Sequence, residues 1–164
     1  MCFRLLYRRR SARRSRRFQL MKPARSSISF LFLLTNMHLS SYYNSMWDVE
    51  SSEEYDEWFS GLDDSSKEAV YERILLLREF GPNLPRPYAD VLHGSKKLSN
   101  LKELRNRTKD HELRVAYYFD PVRKAFLLTG GDKKGKNQTK FYKDLISAAE
   151  SIVERHEKEL EDKK

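Results

Sequence analysis

Residues 101–135 read LKELRNRTKDHELRVAYYFDPVRKAFLLTGGDKKG, and this stretch decides the fold. Apolar residues alternate with polar ones along it, and turn-forming pairs such as Asp120-Pro121 separate the alternating runs, which is typical of short strands joined by hairpins. Cations fall on most of the outward positions, so the sheet carries a dense set of groups able to hold a phosphate backbone. We predict strands over 101–107, 113–120 and 125–129.

The two glycines at the end of the third strand, Gly130 and Gly131, permit unusual backbone angles before a basic turn. In the second strand, Leu113, Val115, Tyr117 and Phe119 face inward, so Arg114 points to the opposite face beside basic residues of neighbouring strands. Residues 46–50 are compatible with one more short strand.

Helices are predicted before and after these strands. Ser51 and Glu54 have capping-box spacing, which indicates the start of a first helix. Asp63 or Asp64 caps a second helix, which ends at Gly81-Pro82. A last helix covers 138–161. The first helix buries Tyr55, Trp58, Phe59 and Leu62, and the second buries Val70, Ile74 and Leu77. The fold class is therefore α+β, a small antiparallel β-sheet with an N-terminal helical hairpin and a C-terminal helix.

Charge is distributed unevenly along the chain. The formal net charge of the whole chain is +8, but residues 1–45 hold ten Lys or Arg and no Asp or Glu. Residues 46–90 have a net charge of −8, and residues 91–143 have a net charge of +9. A basic centre between acidic flanks indicates either a localised anion-binding face or an ordinary solvated surface.

Residues 1–45 differ from the rest of the chain. They begin with an arginine-rich run, and a short apolar run follows at residues 28–34. A signal peptide has that order, but the apolar run is short and no clear cleavage site follows. An arginine-rich RNA-binding arm is an alternative. We favour a basic extension that is disordered or translated from a start chosen too early, followed by one domain at 46–164.

The cysteine and histidine content limits the chemistry. Cys2 is the single cysteine, so an internal disulfide and a cysteine-based metal cluster are excluded. A single free thiol fits a reducing cytoplasm. The four histidines are scattered without ligand spacing. We therefore expect no metal and no cofactor.

Several ordered blocks resemble one family of proteins. They are Gly94-Ser95, residues 100–105 (NLKELR), residues 114–121 (RVAYYFDP), residues 128–133 (LTGGDK) and Phe141-Tyr142. Residues 46–164 resemble in these blocks the RelE/HigB superfamily of bacterial toxins, in its phage-derived HigB-like branch. The resemblance implies a ribosome-dependent, metal-independent messenger RNA endoribonuclease that a cognate helix-turn-helix antitoxin holds inactive.

The resemblance also implies roles for particular residues. Arg114 matches a transition-state phosphate ligand, Lys133 a second cation, and Tyr142 a tyrosine that orients or stacks on the RNA. The family's general-base lysine aligns with Glu103, which is a candidate base, and Asp132 is a second candidate. Substrate-binding residues are expected to be Arg105, Lys102, Lys96, Lys97, Asp132, Lys134 and Lys136.

Three functions stay open at the level of sequence. The first is the toxin, acting on messenger RNA on the ribosome in the cytoplasm, with no membrane partner. The second is a protein of the same fold that binds RNA or antitoxin without cleaving. The third is an unrelated RNA-binding domain with a basic arm at residues 1–45.

Overall fold

A computed structural model describes residues 16–17 and 46–163. Our predictions for the rest of residues 1–45 lie outside this part of the chain. The strands are β1 (Arg16–Arg17), β2 (Val49–Ser51), β3 (Ala89–Val91), β4 (Lys102–Arg107), β5 (Glu112–Phe119) and β6 (Ala125–Asp132), and the helices are α1 (Glu53–Ser60), α2 (Asp64–Phe80) and α3 (Gln138–Glu161), with a 3-10 turn at Gly81–Asn83. No helix in the described part of the chain is both long and apolar enough to span a bilayer.

The strands form one sheet in the order β1-β2-β6-β5-β4-β3. β4, β5 and β6 pair antiparallel in succession, as the hairpin pattern predicted. β3, which was not predicted, pairs antiparallel with β4. β2 is the exception, because it runs parallel to β6 with Val49 beside Ala125. β1 pairs antiparallel with β2. The predicted α+β class, with its helical hairpin and C-terminal helix, is confirmed.

Helices cover both faces of the sheet. α1 and α2 pack on one face through Tyr55, Val70, Ile74 and Leu77. α3 packs on the other face, over a cluster that includes Tyr118. Our prediction of cations at most outward positions is therefore wrong for the middle of the sheet, where Ala116 and Tyr118 lie under α3. Basic side chains occupy that face at one end of the sheet.

The start of α1 differs by one residue from the prediction. Ser52, and not Ser51, is the N-cap, and its hydroxyl oxygen accepts a hydrogen bond from the Tyr55 backbone N–H. Ser51 is the last residue of β2, so its backbone belongs to the sheet, and its hydroxyl donates to Asp56 instead. Asp63 caps α2 as predicted, accepting from the Ser66 backbone N–H at 2.9 Å.

Gly130 and Gly131 are regular strand residues, and our prediction of unusual angles for them is wrong. β6 runs through both to Asp132, and neither has a positive φ. Both positions require glycine because a side chain at either one would clash with a packed aromatic ring. A Cβ at Gly130 would lie 2.4 Å from the Trp58 ring, and one at Gly131 would lie 2.9 Å from the Phe141 ring. Glycine thus lets α1 and α3 approach β6 from opposite faces.

Candidate nucleic-acid interface

The candidate site lies on the α3 face at one end of the sheet, where β4, β5 and β6 are adjacent. Arg105 of β4 is the direct cross-strand partner of Arg114, and Gly131 of β6 is its partner on the other side. Directly paired residues of antiparallel strands point to the same face. The register therefore brings the two arginines together, and the sequence-based prediction that Arg114 has a basic cross-strand neighbour is confirmed.

A buried carboxylate links the two arginines. Glu103 is 1% exposed. Its Oε1 accepts a hydrogen bond from Arg105 Nε at 2.7 Å, and its Oε2 lies 3.6 Å from Arg114 Nε. The second distance is an ion pair without a hydrogen bond. Glu103 thus lies beneath both guanidinium groups and compensates their charge.

Tyr142 and Lys133 complete the cluster from outside the two central strands. The Tyr142 hydroxyl, on the second turn of α3, donates to Glu103 Oε1 at 3.4 Å. Lys133 directly follows β6, and its Nζ lies 6.0 Å from the centroid of the Tyr142 ring and 3.7 Å from Glu112 Oε2. Phe141 fixes the beginning of α3 by packing over Gly131. The structure therefore joins all four predicted catalytic residues in one set of contacts.

The charges of the cluster are balanced internally. Arg105 also pairs with Asp90, at 2.6 Å from its Oδ2. Partial burial alone would lower the pKa of the Arg105 guanidinium, but the hydrogen bond and charge of Glu103, together with Asp90, raise it above its ordinary value. Arg105 is therefore charged at every relevant pH. A phosphate that binds these cations has to compete with carboxylates already beside them.

The predicted substrate-binding residues do not all lie at this site. Lys102 pairs with Tyr117, on the face toward the helical hairpin, and its Nζ donates to the Pro82 carbonyl. Lys96 and Lys97 contact the middle of α3, where the Lys96 backbone N–H donates to Glu150 and the Lys97 ammonium pairs with Glu154.

Lys134 and Lys136 lie in the turn between β6 and α3. Lys134 Nζ donates to the Lys109 carbonyl. Lys136 Nζ lies 5.7 Å from the Phe141 ring centroid. This turn is thus next to the cluster, whereas Lys102 is separated from it by the sheet.

Asp132 has a partner that sequence reasoning missed. Its Oδ2 lies 2.6 Å from His111 Nδ1, and His111 Nε2 lies 3.5 Å from Asp63 Oδ2. Asp132 pairs with Leu113, so this contact lies on the face toward the helical hairpin, opposite Glu103. The hydrogen bond to Asp132, reinforced by the charge of Asp63, raises the pKa of His111. The contact depends on the pairing register between the start of β5 and the end of β6, and the spacing of residues along the chain does not reveal that register.

This contact bears on the second candidate base. Partial burial alone would raise the pKa of Asp132, but the hydrogen bonds from His111 and from the backbone N–H groups of Lys134 and Glu112 lower it overall. Asp132 is therefore a weak base that is already occupied by donors. Across residues 46–163, no three His, Cys, Asp or Glu side chains are grouped so that they could hold a metal ion.

Comparison with known proteins finds a family model that matches this chain and toxins that are similar to it in sequence. The model of the family described as "Phage derived protein Gp49-like (DUF891)" matches residues 57–154. Putative toxin HigB3 of Mycobacterium tuberculosis (strain ATCC 25618 / H37Rv) is 38% identical over 97 residues, which cover 59% of this chain and 82% of HigB3. The resemblance to HigB-type toxins seen in the sequence is confirmed.

Two further similarities are less complete. Putative toxin HigB2 of the same strain is 38% identical over 108 residues, which cover 65% of this chain and 53% of HigB2, so the chain spans about half the length of that relative. A mutant of the E. coli toxin RelE, solved in the free state, has a TM-score of 0.44 and 12% identity, over 68% of this chain and 97% of RelE.

Proposed function

We propose that this protein is the toxin of a type II toxin–antitoxin pair and cuts messenger RNA on the ribosome. The premise is its family: the chain belongs to the phage-derived Gp49-like family and is related to HigB-type toxins. The single observation that carries the proposal is the contact set of Arg105, Arg114, Lys133 and Tyr142 around Glu103 at one end of the sheet.

The reaction that suits this site is metal-independent transfer of the phosphate to the neighbouring 2′-hydroxyl. The 2′-oxygen bonds to phosphorus and loses its proton, the bond from phosphorus to the 5′-oxygen breaks, and that oxygen gains a proton. The products are a 2′,3′-cyclic phosphate and a 5′-hydroxyl. The transition state gathers negative charge on the phosphate oxygens, so fixed cations lower the barrier.

The roles of the basic and aromatic side chains follow from their positions. Arg114 is 11% exposed in its side chain and held between two strands, so it offers a fixed cation to the transition state. Lys133 is the second cation. Tyr142 lies between Lys133 and Glu103, where its ring provides a face on which a base stacks.

Glu103 acts on the reaction by positioning the arginines. A general base must reach the 2′-hydroxyl within hydrogen-bond distance. The Glu103 carboxylate is buried, and Arg105 and Tyr142 already donate to its Oε1. A carboxylate so placed orients the Arg105 guanidinium through a hydrogen bond and attracts that of Arg114 through charge, while Arg114 Nη1 donates to the Leu113 carbonyl. Orientation of this kind contributes several kcal/mol to lowering a barrier. The 2′-hydroxyl then has to lose its proton to another group of the complex or to water.

The remaining parts of the proposal concern location and partners. A protein that acts on ribosome-bound messenger works in the cytoplasm. Its cognate antitoxin, a small helix-turn-helix protein, inhibits it by covering the basic end of the sheet or by displacing α3, since either event blocks RNA.

A second candidate function follows from the balanced charges of the cluster. With Glu103 where the family's base lysine aligns, the protein could hold RNA or antitoxin without cutting. The experiment that separates the two functions incubates purified protein with a defined messenger, with and without programmed ribosomes. The toxin produces cleavage in the presence of ribosomes. A folded protein that binds and never cuts supports the second function.

A further inference from the structure

We propose that the groove between β6 and the first half of α3 binds the nucleotide adjacent to the cleaved phosphate, so that RNA runs from the arginine cluster past Lys136 and Lys140. This inference rests on the proposed function and deepens it, because it assigns a path to the substrate beyond the reacting phosphate.

The groove has the size and lining of a ligand site. Its volume is about 500 Å³, which falls within the range of small-molecule pockets. Its floor is the backbone of β6 at Gly130 and Gly131, and one wall is apolar, with Phe141, Leu145 and Ala148 of α3. The missing side chain of Gly131 lets the Phe141 ring pack against β6, whereas the missing Cβ of Gly130 faces Trp58 on the other side of the sheet, so the groove floor at these two residues is made of peptide groups.

The groove is continuous with the arginine cluster. Gly131 both lines the groove and pairs directly with Arg114. Phe141 lines the groove, and its ring contacts that of Tyr142 edge to face at a centroid distance of 5.3 Å. An RNA strand whose reacting phosphate binds Arg114 therefore reaches the groove within one nucleotide.

The charge of the groove favours a polyanion. Lys136 and Lys140 line it and are exposed, and neither forms an ion pair with any residue in 46–163, whereas Arg105, Arg114 and Lys133 are all paired. Asp144 also lines the groove, which leaves an excess of one positive charge. Unpaired lysines beside an apolar wall suit a phosphate and its base, because the phosphate neutralises the lysines while the base covers the wall.

The test measures binding of a fluorescent 2′-O-methyl RNA, which lacks the nucleophile and cannot be cut, across a series of salt concentrations. The double variant Lys136→Gln/Lys140→Gln removes both charges. We expect its affinity to fall roughly tenfold and the slope of log affinity on log salt to decrease by about 1.4, which is two single-strand phosphate contacts. The matched control is Lys143→Gln, an exposed lysine on the same helix that does not line the groove.

A second variant tests the groove without changing charge. Ala148→Trp places a large side chain from an exposed helix position into the groove, and we expect it to weaken binding roughly tenfold while leaving the salt slope unchanged. Thermal unfolding checks that each variant is folded.

The outcomes separate the groove from the proposed function. If the parent binds RNA and both groove variants match Lys143→Gln in affinity and slope, the groove assignment is overturned while the function stands, and the groove is left for a protein partner. If the parent neither binds RNA nor cuts it on ribosomes, the function fails and the groove assignment fails with it.

Discussion

Arg114 is the residue whose replacement should most clearly separate chemistry from folding. Arg114→Ala removes one preorganised cation, and we expect cleavage to fall on the order of 10²–10³-fold and growth arrest on expression to be lost. The fold should persist, since Glu103 keeps Arg105 and Tyr142 as donors. Growth curves, cleavage assays and circular dichroism measure these effects.

The control for Arg114 is Arg107, which is on the neighbouring strand and 81% exposed in its side chain, with one ion pair to Glu112. Exposed pairs contribute roughly 0–1 kcal/mol, so Arg107→Ala should leave both stability and cleavage nearly unchanged. A folded Arg114→Ala protein that cuts messenger at the parental rate would remove Arg114 from the site.

Glu103 gives a test of positioning against base catalysis. Glu103→Gln keeps an acceptor for Arg105 Nε, so we expect it to retain more cleavage than Glu103→Ala and to leave the shape of the pH–rate profile unchanged. An amide cannot take up a proton. If Glu103 were the general base, Gln would lose on the order of 10²–10⁴-fold in rate and abolish the acidic limb of the profile.

At this scale the sequence predicts the direction of side chains better than their partners. Strand alternation places Arg114 on the correct face and beside a basic residue. The burial of Glu103 depends on α3 covering the sheet, and the contact of His111 with Asp132 depends on the β5–β6 register. Both are non-local, so neither follows from the local pattern.

His111 joins three elements, since it precedes β5 and contacts the end of β6 and the loop before α2. The pKa of Asp63 is lowered to about 2, chiefly by hydrogen bonds from Ser66, and that of Asp132 is also lowered, so both carboxylates are charged near neutral pH. The folded protein raises the pKa of His111 above its ordinary 6.5. The contacts of charged His111 with the two carboxylates therefore stabilise the fold fully below pH 6.5, and this stabilisation is lost as pH rises through the raised pKa.

We therefore expect the thermal midpoint of the parent to decrease, relative to that of His111→Asn, as pH rises from about 6 to about 9. Taking the difference between the two proteins cancels contributions from the groups that are common to both. A difference that is constant over this range would show that the His111 contact does not hold the elements together.

Gly130 tests how closely α1 packs on β6. Gly130→Ala places a methyl group against the Trp58 ring, and we expect destabilisation of about 1–3 kcal/mol by overpacking. Gly61→Ala is the matched control, because its Cβ would lie 3.6 Å from the nearest atom and its φ is −78°. Denaturant midpoints compare them. Equal midpoints would show that Trp58 moves aside without cost.

At the scale of elements, helices and strands follow from the sequence because caps, stripes and turns are local. The parallel pairing of β2 with β6 joins distant segments, and local pattern does not specify it. The sequence does contain a signal that α3 covers the second face of the sheet. Residues 115–118 of β5 form a continuous apolar run, which is typical of a strand with both faces covered, and all four are buried.

Over the whole molecule, the segregation of charge along the chain is carried over in part into space, because Asp90 of the acidic segment still pairs with Arg105 and Lys102 of the basic segment lies on the hairpin face. The acidic segment 46–90 contains the helical hairpin on one face, and the basic segment 91–143 contains the cluster and the turn at the opposite face. This polarity suits a protein that approaches a polyanion with one end. Sequence composition predicted the polarity, while the balance of charge within the cluster required the structure.

The most direct measurement identifies the ends of messenger fragments produced on programmed ribosomes. The proposed function predicts cuts that require the ribosome. Attack by the 2′-hydroxyl predicts a 2′,3′-cyclic phosphate on the upstream fragment and a 5′-hydroxyl on the downstream fragment, which polynucleotide kinase labels without prior phosphatase treatment. Parent and Arg107→Ala should give these ends, and Arg114→Ala should not. Fragments carrying a 5′-phosphate, or equal cutting of free messenger, would contradict the account.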